Sequence, residues 1–352
     1  MAKRCAYQII KYSAKIRSPL ITARYLERRV IYLVITFFIA VTINFFLPRL
    51  IPGNPALSIL VSRYGNQIKP QELLLVESEL NLRGSLLHQY IGYMSSLFHG
   101  YLGVSYYYYP ATVVSIIGSH LPWTLFLLGT ATIISVFVGV SIASFIGWRL
   151  GGKSDLIISS IAISLGSLPF FWLGLIFQIV FGLLIVIDGQ HLFPIAHAFS
   201  SGVYPGLTYS FISSVLWHSA LPILTLVLIS FPGFTLLMRN TISTIINDDY
   251  VQMARAKGLR TWRIKKMYVN RNARLPIATS VALAFGSIVG GAFLVEVVFS
   301  YPGIGYMLYE AVTTSDFPLI DGIFLIITIT VIIANFIVDL LYAFLDPRVV
   351  LD

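Results

Sequence analysis

Charged residues are scarce in this sequence, where Asp, Glu, Lys and Arg together make up 11% of the 352 residues. A soluble domain carries roughly 25%, so this chain cannot cover a compact fold of its size with a solvated surface. Hydrophobic residues make up 57% of the chain and aromatic residues 14%. The composition therefore argues against a soluble enzyme, a disordered protein and a disulfide scaffold.

Cysteine is nearly absent as well, since Cys5 is the only one in the sequence. A single cysteine excludes an intramolecular disulfide and a cysteine-based metal cluster. The sequence also lacks a G-x-S-x-G elbow and an H-E-x-x-H pair. His191 and His197 have neither cysteines nor clustered carboxylates near them, so they are better explained as external polar residues than as metal ligands. We expect no catalytic residue, metal or cofactor on this chain.

Long hydrophobic runs are what the sequence has in abundance. A hydrocarbon core about 30 Å thick requires roughly 20 apolar residues of helix, and six runs meet this requirement without an internal Lys or Arg. They are Val30–Leu47, Trp123–Trp148, Leu156–Ile187, Leu216–Met238, Pro276–Phe299 and Ile323–Leu345. The third is long enough to need a tilt or a break near Pro169. These runs predict an all-α integral membrane protein with six transmembrane helices, and therefore a multi-pass protein of the cell membrane.

The basic residues predict the orientation of these spans. Twenty Lys and Arg residues lie before the first run, in alternate loops and at the C-terminal end, against four in the remaining loops. The side with more basic residues is the cytoplasmic one, so both termini are expected there. The net charge of +9 is thus a label of topology, and we expect a lipid bilayer and no nucleic acid as partner.

The same division predicts the domain organisation. Residues 1–29 form a basic cytoplasmic extension, 30–47 the first span, and 48–120 an external subdomain with short amphipathic helices at Pro70–Leu80 and Leu86–Phe98. Residues 121–352 form a five-helix core with a cytoplasmic loop at 239–275. The four tyrosines at Tyr106–Tyr109 fit an interfacial aromatic belt, or a surface that docks a partner.

Residues Gly147–Ser154 match the phosphate-loop pattern G-x-x-x-x-G-K-[ST] letter for letter. A functional phosphate loop requires a strand before it and a helix after it in a soluble α/β domain. Here the segment joins two membrane spans, so we interpret it as a tight basic turn in which Arg149 and Lys153 anchor the cytoplasmic side.

The cytoplasmic loop 239–275 contains a short helix signal. Asn247 or Asp248 can cap its N-terminus and Gly258 can end it. Four residues at spacings i, i+3, i+4 and i+7 are predicted to share one face: Tyr250, Met253, Ala254 and Lys257. A short helix of this kind, held below the membrane by two spans, is suited to docking into a groove of another protein.

The pattern Asp-Tyr-Val-x-x-Ala-Arg-Ala-Lys-Gly-Leu at residues 249–259, followed by Leu275-Pro276, resembles the coupling-loop signature of ABC importer permease subunits. The similarity is to the dipeptide, oligopeptide and nickel branch. Four other segments agree with that branch, at residues 50–56, 168–174, 295–305 and 339–348. The resemblance runs from about residue 26 to the C-terminal end.

This resemblance implies a type I ABC importer permease fold and a division of labour. This chain and a second homologous permease subunit would form the translocation path, and an external binding protein would deliver the solute. Two cytoplasmic ATPase subunits would hold ATP and magnesium and hydrolyse the nucleotide. Contact with an ATPase would fall to eight residues: Asp249, Tyr250, Met253, Ala254, Arg255, Ala256, Lys257 and Gly258.

Several residues inside the spans are further candidates. Gly286 and Gly290 have the small-xxx-small spacing that lets helices approach closely, and with Pro169 and Gly291 they indicate either static packing or a moving gate. Glu296 and Asp339 are acids at membrane depth, where we expect an anchoring hydrogen bond or salt bridge.

Peptides are the expected solute, with oligosaccharides or nickel chelates as alternatives within the same importer role. A secondary transporter coupled to ions or protons is the alternative from another class. Such transporters are typified by inverted repeats and charged midplane sites, and neither is evident in this sequence.

Overall fold

A computed structural model of the chain describes residues 23–50, 56–57, 60, 73–74, 85–286 and 293–345, and these residues are mostly helical. The α-helices are numbered here in chain order. They are α1 (Ala23–Arg49), α2 (Leu86–Phe98), α3 (Val113–Ile146), α4 (Lys153–Gly166), α5 (Phe170–Phe177), α6 (Tyr209–Ile245), α7 (Asp249–Ala256), α8 (Thr261–Arg263), α9 (Asn270–Gly286), α10 (Phe293–Val298), α11 (Ile304–Thr313) and α12 (Phe317–Leu345). Two π-helical segments, Gln178–Leu184 and Ile264–Val269, follow α5 and α8. Strands β1 (Val186–Ile187) and β2 (Gln190–His191) form a small antiparallel hairpin.

Four helices in the described part of the chain are long and apolar enough to cross a membrane, and α4 with the α5 segment makes up to a fifth. The four are α1, α3, α6 and α12, which correspond to the predicted first, second, fourth and sixth spans. Helices α3 and α6 begin at Val113 and Tyr209, earlier than the apolar runs predicted. The hydroxyls of Thr112 and Thr208 cap the two N-termini by accepting bonds from Ser115 N and Phe211 N.

The third predicted span is broken at Pro169, as the sequence indicated. Helix α4 ends at Gly166, and α5 starts after Pro169 at an angle of 94° to it. Proline has no N–H to donate, and it disfavours helical backbone at the residue before it, so one straight helix cannot pass through this point. The span therefore changes direction inside the membrane region.

The fifth predicted span, Pro276–Phe299, begins earlier than expected. Helix α9 starts at Asn270 and includes Pro276 in its second turn. It ends at Gly286, and α10 resumes at Phe293. Gly290 and Gly291 lie outside the described residues, so the close-packing prediction for them stays a prediction.

The predicted external subdomain is described in part. Its second amphipathic helix is present as α2, capped by Ser85, whose hydroxyl accepts a bond from His88 N. The first, Pro70–Leu80, lies almost entirely outside the described residues, as do residues 1–22 of the basic extension.

Buried hydrophobic residues gather in two clusters, one at each end of the helices. The larger contains Tyr301, Ile304 and Ile320 and packs α3, α6, α11 and α12 together. The smaller contains Met238, Ile242 and Val251 and packs α7 and its neighbours against α6 and α9. The second cluster positions the loop that carried the sequence motif.

Candidate functional site

Helix α7 has eight residues, and a glycine turn ends it. Asp248 stands at the N-cap in extended backbone, although its side chain makes no capping hydrogen bond. At the other end Gly258 has φ +69°, a conformation that glycine adopts without steric cost. Gly258 N donates to Arg255 O at 2.9 Å and Leu259 N to Ala254 O at 3.3 Å, which are the two bonds of a Schellman motif.

One face of α7 is packed against the membrane domain. Val251 is fully buried and Ala254 is 2% exposed, both in the cluster with Met238 and Ile242 of α6. The neighbouring Tyr250 accepts a hydrogen bond on its hydroxyl from Asn272 Nδ2 at 3.0 Å. The orientation of α7 is therefore fixed by α6 and α9, so movement of this helix and of those spans is mechanically linked.

The opposite face of α7 is open. Met253 is 58% exposed, and Gln252, Arg255 and Lys257 are exposed beside it. The prediction that Ala254 shares a docking face with Met253 is wrong, because Ala254 points into the buried cluster. Residue spacing predicts which side chains lie along one side of a helix. Packing against α6 and α9 determines which of those side chains are buried.

The surroundings of α7 are strongly basic. Arg260, Arg263 and Lys266 are exposed on the segment that follows it. Burial lowers the pKa of Lys265, and the nearby positive charge of Arg149 lowers that pKa further. An acidic surface of a partner protein or lipid headgroups would meet a positive field here.

The segment Gly147–Ser154 is a tight turn between two helices. It follows α3 directly, where a phosphate loop would follow a strand. A Cβ at Gly147 would lie 2.8 Å from Ala143 O and 2.9 Å from the Ile242 side chain, so glycine is required here for packing against α6. Lys153 is exposed, and Arg149 lies over the Phe145 ring at 4.3 Å.

The turn is held by a residue that the sequence reasoning missed. Asp155 is fully buried and accepts bonds from Arg239 Nη2 at 2.6 Å and Arg239 Nε at 2.9 Å. It also accepts a bond from Gly151 N at 2.9 Å. Asp155 thus ties the turn and the start of α4 to α6, a few residues before α7. The available signal was an acid next to a basic turn, with an arginine at the end of a later span.

Glu296 makes the anchoring contacts expected of a buried acid. Its side chain is 1% exposed and accepts bonds from Thr124 Oγ1 at 2.7 Å and Gly305 N at 2.7 Å. Thr124 also accepts a bond from Ile304 N at 2.8 Å. The carboxylate therefore joins α10, α3 and the N-terminus of α11, where negative charge is favourable.

Asp339 forms an ion pair with Arg29 at 2.6 Å, which joins α12 to α1. A second pair between the same helices escaped the sequence reasoning, because Asp321 precedes Ile323, where the sixth span was predicted to begin. Asp321 lies within α12 and is 3.0 Å from Arg49 Nη1 at the end of α1. Helices α1 and α12 are thus pinned to each other near both ends.

The four tyrosines do not form a uniform aromatic belt. Tyr106 is buried, and the Tyr108 hydroxyl donates to Glu310 of α11 at 2.6 Å. Tyr107 N donates to Asp316 at 3.1 Å, whereas the Tyr107 and Tyr109 rings are exposed. Half of the segment therefore packs against the larger hydrophobic cluster.

Comparison with known proteins gives two family matches that together cover most of the chain. Residues 135–351 match the binding-protein-dependent transport system inner membrane component, and residues 22–128 match the N-terminal region of the same kind of membrane component. The dipeptide transport system permease protein of Escherichia coli strain K12 is 29% identical, over 90% of this chain and 96% of that protein. A putative peptide permease of Brucella ovis is 33% identical, over 88% of this chain and 94% of that protein. The dipeptide permease of Alkalihalophilus pseudofirmus is 30% identical, over 92% and 98%.

Proposed function

Because the chain belongs to the family of binding-protein-dependent transport system inner membrane components, we propose that it lines the path by which an ABC importer carries peptides across the cell membrane. It is a multi-pass membrane permease subunit of such an importer. A second homologous permease subunit completes the path, and an external binding protein delivers the peptide. Two ATPase subunits hold ATP and magnesium and perform the hydrolysis, so no cofactor belongs to this chain.

The observation that carries this proposal is helix α7. It is anchored to α6 and α9 through Val251 and Ala254, and it presents Met253, Arg255 and Lys257 outward. A partner that grips the exposed face would move the anchored face with it. Closure of an ATPase around α7 would thereby shift the balance between two arrangements of the spans, as coupling between nucleotide and solute requires.

The proposal includes six spans with both termini in the cytoplasm. Twenty of the twenty-four basic residues fall on the side so assigned, and the Arg29–Asp339 ion pair supports an even number of spans. That pair brings the N-terminal part of α1 next to the C-terminal part of α12, as an even number of spans requires. Residues 48–120 are then external, and 239–275 form the cytoplasmic coupling loop.

Site-specific cross-linking tests the proposed contact. In a Cys5→Ser background, Met253→Cys is introduced into the importer purified with the subunits that accompany it. We expect a short thiol-to-amine cross-linker to join Met253→Cys to an ATPase subunit, and ATP to change the yield. Ala254→Cys is the matched control and should give no product, because position 254 faces the membrane domain. An ATPase that co-purifies but never links to position 253 would contradict the proposal.

A further inference from the structure

Three helices border an open cavity of about 390 Å³, which lies within the range of roughly 300–1,000 Å³ usual for small-molecule sites. Helix α3 contributes Thr132, α6 contributes Ser230 and Gly233, and α9 contributes Ser280 and Ala284. These residues lie inside the apolar runs of three different spans. The described residues that line the cavity include no charged side chain.

Packing on either side leaves this face of α6 uncovered. Phe231, Phe234 and Thr235 pack against α3 so closely that a Cβ on Gly139 would lie 2.8 Å from Phe234 Cβ. Pro232 contacts Gly166, immediately before the break in the third span. Ser230, Gly233 and Leu237 stand at i, i+3 and i+7, so they share the remaining face, and they line the cavity.

Among the described residues, the hydroxyls of the cavity do not bond to the backbone of their own helices, as several neighbouring hydroxyls do. Thr225 and Thr235 of α6 and Ser135 of α3 each donate to the carbonyl four residues earlier, at 2.7–2.9 Å. Within the described part of the chain, Thr132, Ser230 and Ser280 form no such bond. A hydroxyl without a partner in an apolar medium is costly, so a lipid tail is a poor occupant of the cavity. Water or a polar solute satisfies all three groups.

We propose that this hydroxyl-lined cavity is a segment of the translocation path, in which Thr132, Ser230 and Ser280 hydrogen-bond the backbone amides of the passing peptide. The inference rests on the proposed function and adds the residues that contact the solute. A serine or threonine hydroxyl both donates and accepts, so it can pair with an amide N–H or a carbonyl. An uncharged lining accepts peptides regardless of side-chain charge and holds them weakly enough to leave, as passage requires.

Thiol modification tests the position of the path. Ser230→Cys is made in the Cys5→Ser background, and the assembled importer is reconstituted into proteoliposomes with a labelled dipeptide and ATP. We expect a charged methanethiosulfonate reagent to modify Ser230→Cys and to reduce uptake at least ten-fold, and a reductant to restore it. Recovery after reduction shows that the variant is folded. Ile133→Cys is the control: position 133 is 63% exposed on the surface next to Thr132, and in lipid it should remain unmodified.

Removal of a single hydroxyl tests the chemistry. Thr132→Val keeps the side-chain volume, and we expect uptake to fall several-fold. Thr132→Ser retains the hydroxyl and should restore uptake.

The outcomes distinguish the two proposals. If the Cys5→Ser importer takes up no peptide, the proposed function is wrong. If it takes up peptide, but Ser230→Cys either escapes the reagent or carries the adduct without loss of uptake, the path does not pass through this cavity. Equal uptake by Thr132→Val and Thr132→Ser would overturn the hydrogen-bonding role.

Discussion

Asp155 and Arg239 form a two-point ion pair that joins the start of α4 to the C-terminal part of α6, with Oδ2–Nη2 and Oδ1–Nε distances of 2.6 and 2.9 Å. The carboxylate is fully buried and also caps the turn through Gly151 N. Arg239 lies on α6, ten residues before α7 begins. The pair therefore helps to fix the position of the segment that leads into α7. The pair thus stabilises the packing of α4 against α6 and supports α7.

Loss of one member of this pair is expected to destabilise the protein. Asp155→Ala removes the carboxylate that Arg239 binds and leaves Gly151 N without its side-chain acceptor, at a cost of about 1–3 kcal/mol. The melting temperature of the purified importer in detergent checks this. The double variant Asp155→Ala/Arg239→Met should recover part of the loss, since no unpaired charge remains. Equal melting temperatures for the parent and Asp155→Ala would contradict a stabilising role of the Asp155–Arg239 pair.

Substitution of Gly258 is expected to uncouple ATP hydrolysis from transport. Gly258→Ala places a side chain at φ +69°, at a cost of about 1–2 kcal/mol. Gly258→Pro is more severe, because it also removes the N–H that donates to Arg255 O. We expect peptide-stimulated ATPase activity to fall in the order glycine, alanine, proline, while the protein still inserts into the membrane. Gly258→Asn is the control, since asparagine tolerates this conformation; equal activity in all four would refute the role of the turn.

The phosphate-loop pattern is expected to have no part in nucleotide binding. Lys153 is an exposed residue at the start of α4, in a segment that follows a helix and no strand, so Lys153→Ala should leave the ATPase rate of the importer unchanged. The isolated chain should show no ATP turnover. Turnover by the isolated chain that Lys153→Ala abolishes would reverse this interpretation.

The orientation of the spans predicts opposite accessibility for two surface positions. In the Cys5→Ser background, Ile195→Cys should react with an impermeant maleimide added to intact cells or right-side-out vesicles. Arg260→Cys should react only after the membrane is opened. Ile195 is 39% exposed and Arg260 is also exposed, so burial cannot explain a difference in reactivity. The reverse pattern would show that the orientation is opposite to the one proposed.

Features encoded in short segments could be predicted from the sequence. The apolar runs located the four long helices, Pro169 located the break in the third span, and Gly258 located the end of α7. Each rests on local backbone chemistry or on composition over one membrane thickness. The limits of α3 and α6 were missed because threonine caps at 112 and 208 extend the helices beyond their apolar parts.

Contacts between distant segments could not be predicted in this way. Asp155 and Arg239 are 84 residues apart, and Tyr108 and Glu310 are 202 apart, so nothing local pairs them. The inward direction of Ala254 likewise depends on where α6 and α9 lie. The cavity around Ser230 requires three helices to be assembled before its hydroxyls share one space.

The two ion pairs between α1 and α12 bear on the order in which the protein is built. Helix α1 is made before α12, and the acids that pair with Arg29 and Arg49 follow them along the chain by 310 and 272 residues. Ribosomes add about 5–20 residues per second, so α1 waits many seconds in the bilayer with both arginines lacking these acids. The arrival of α12 is therefore the event that completes the contact with α1, and it follows the synthesis of all the helices between them.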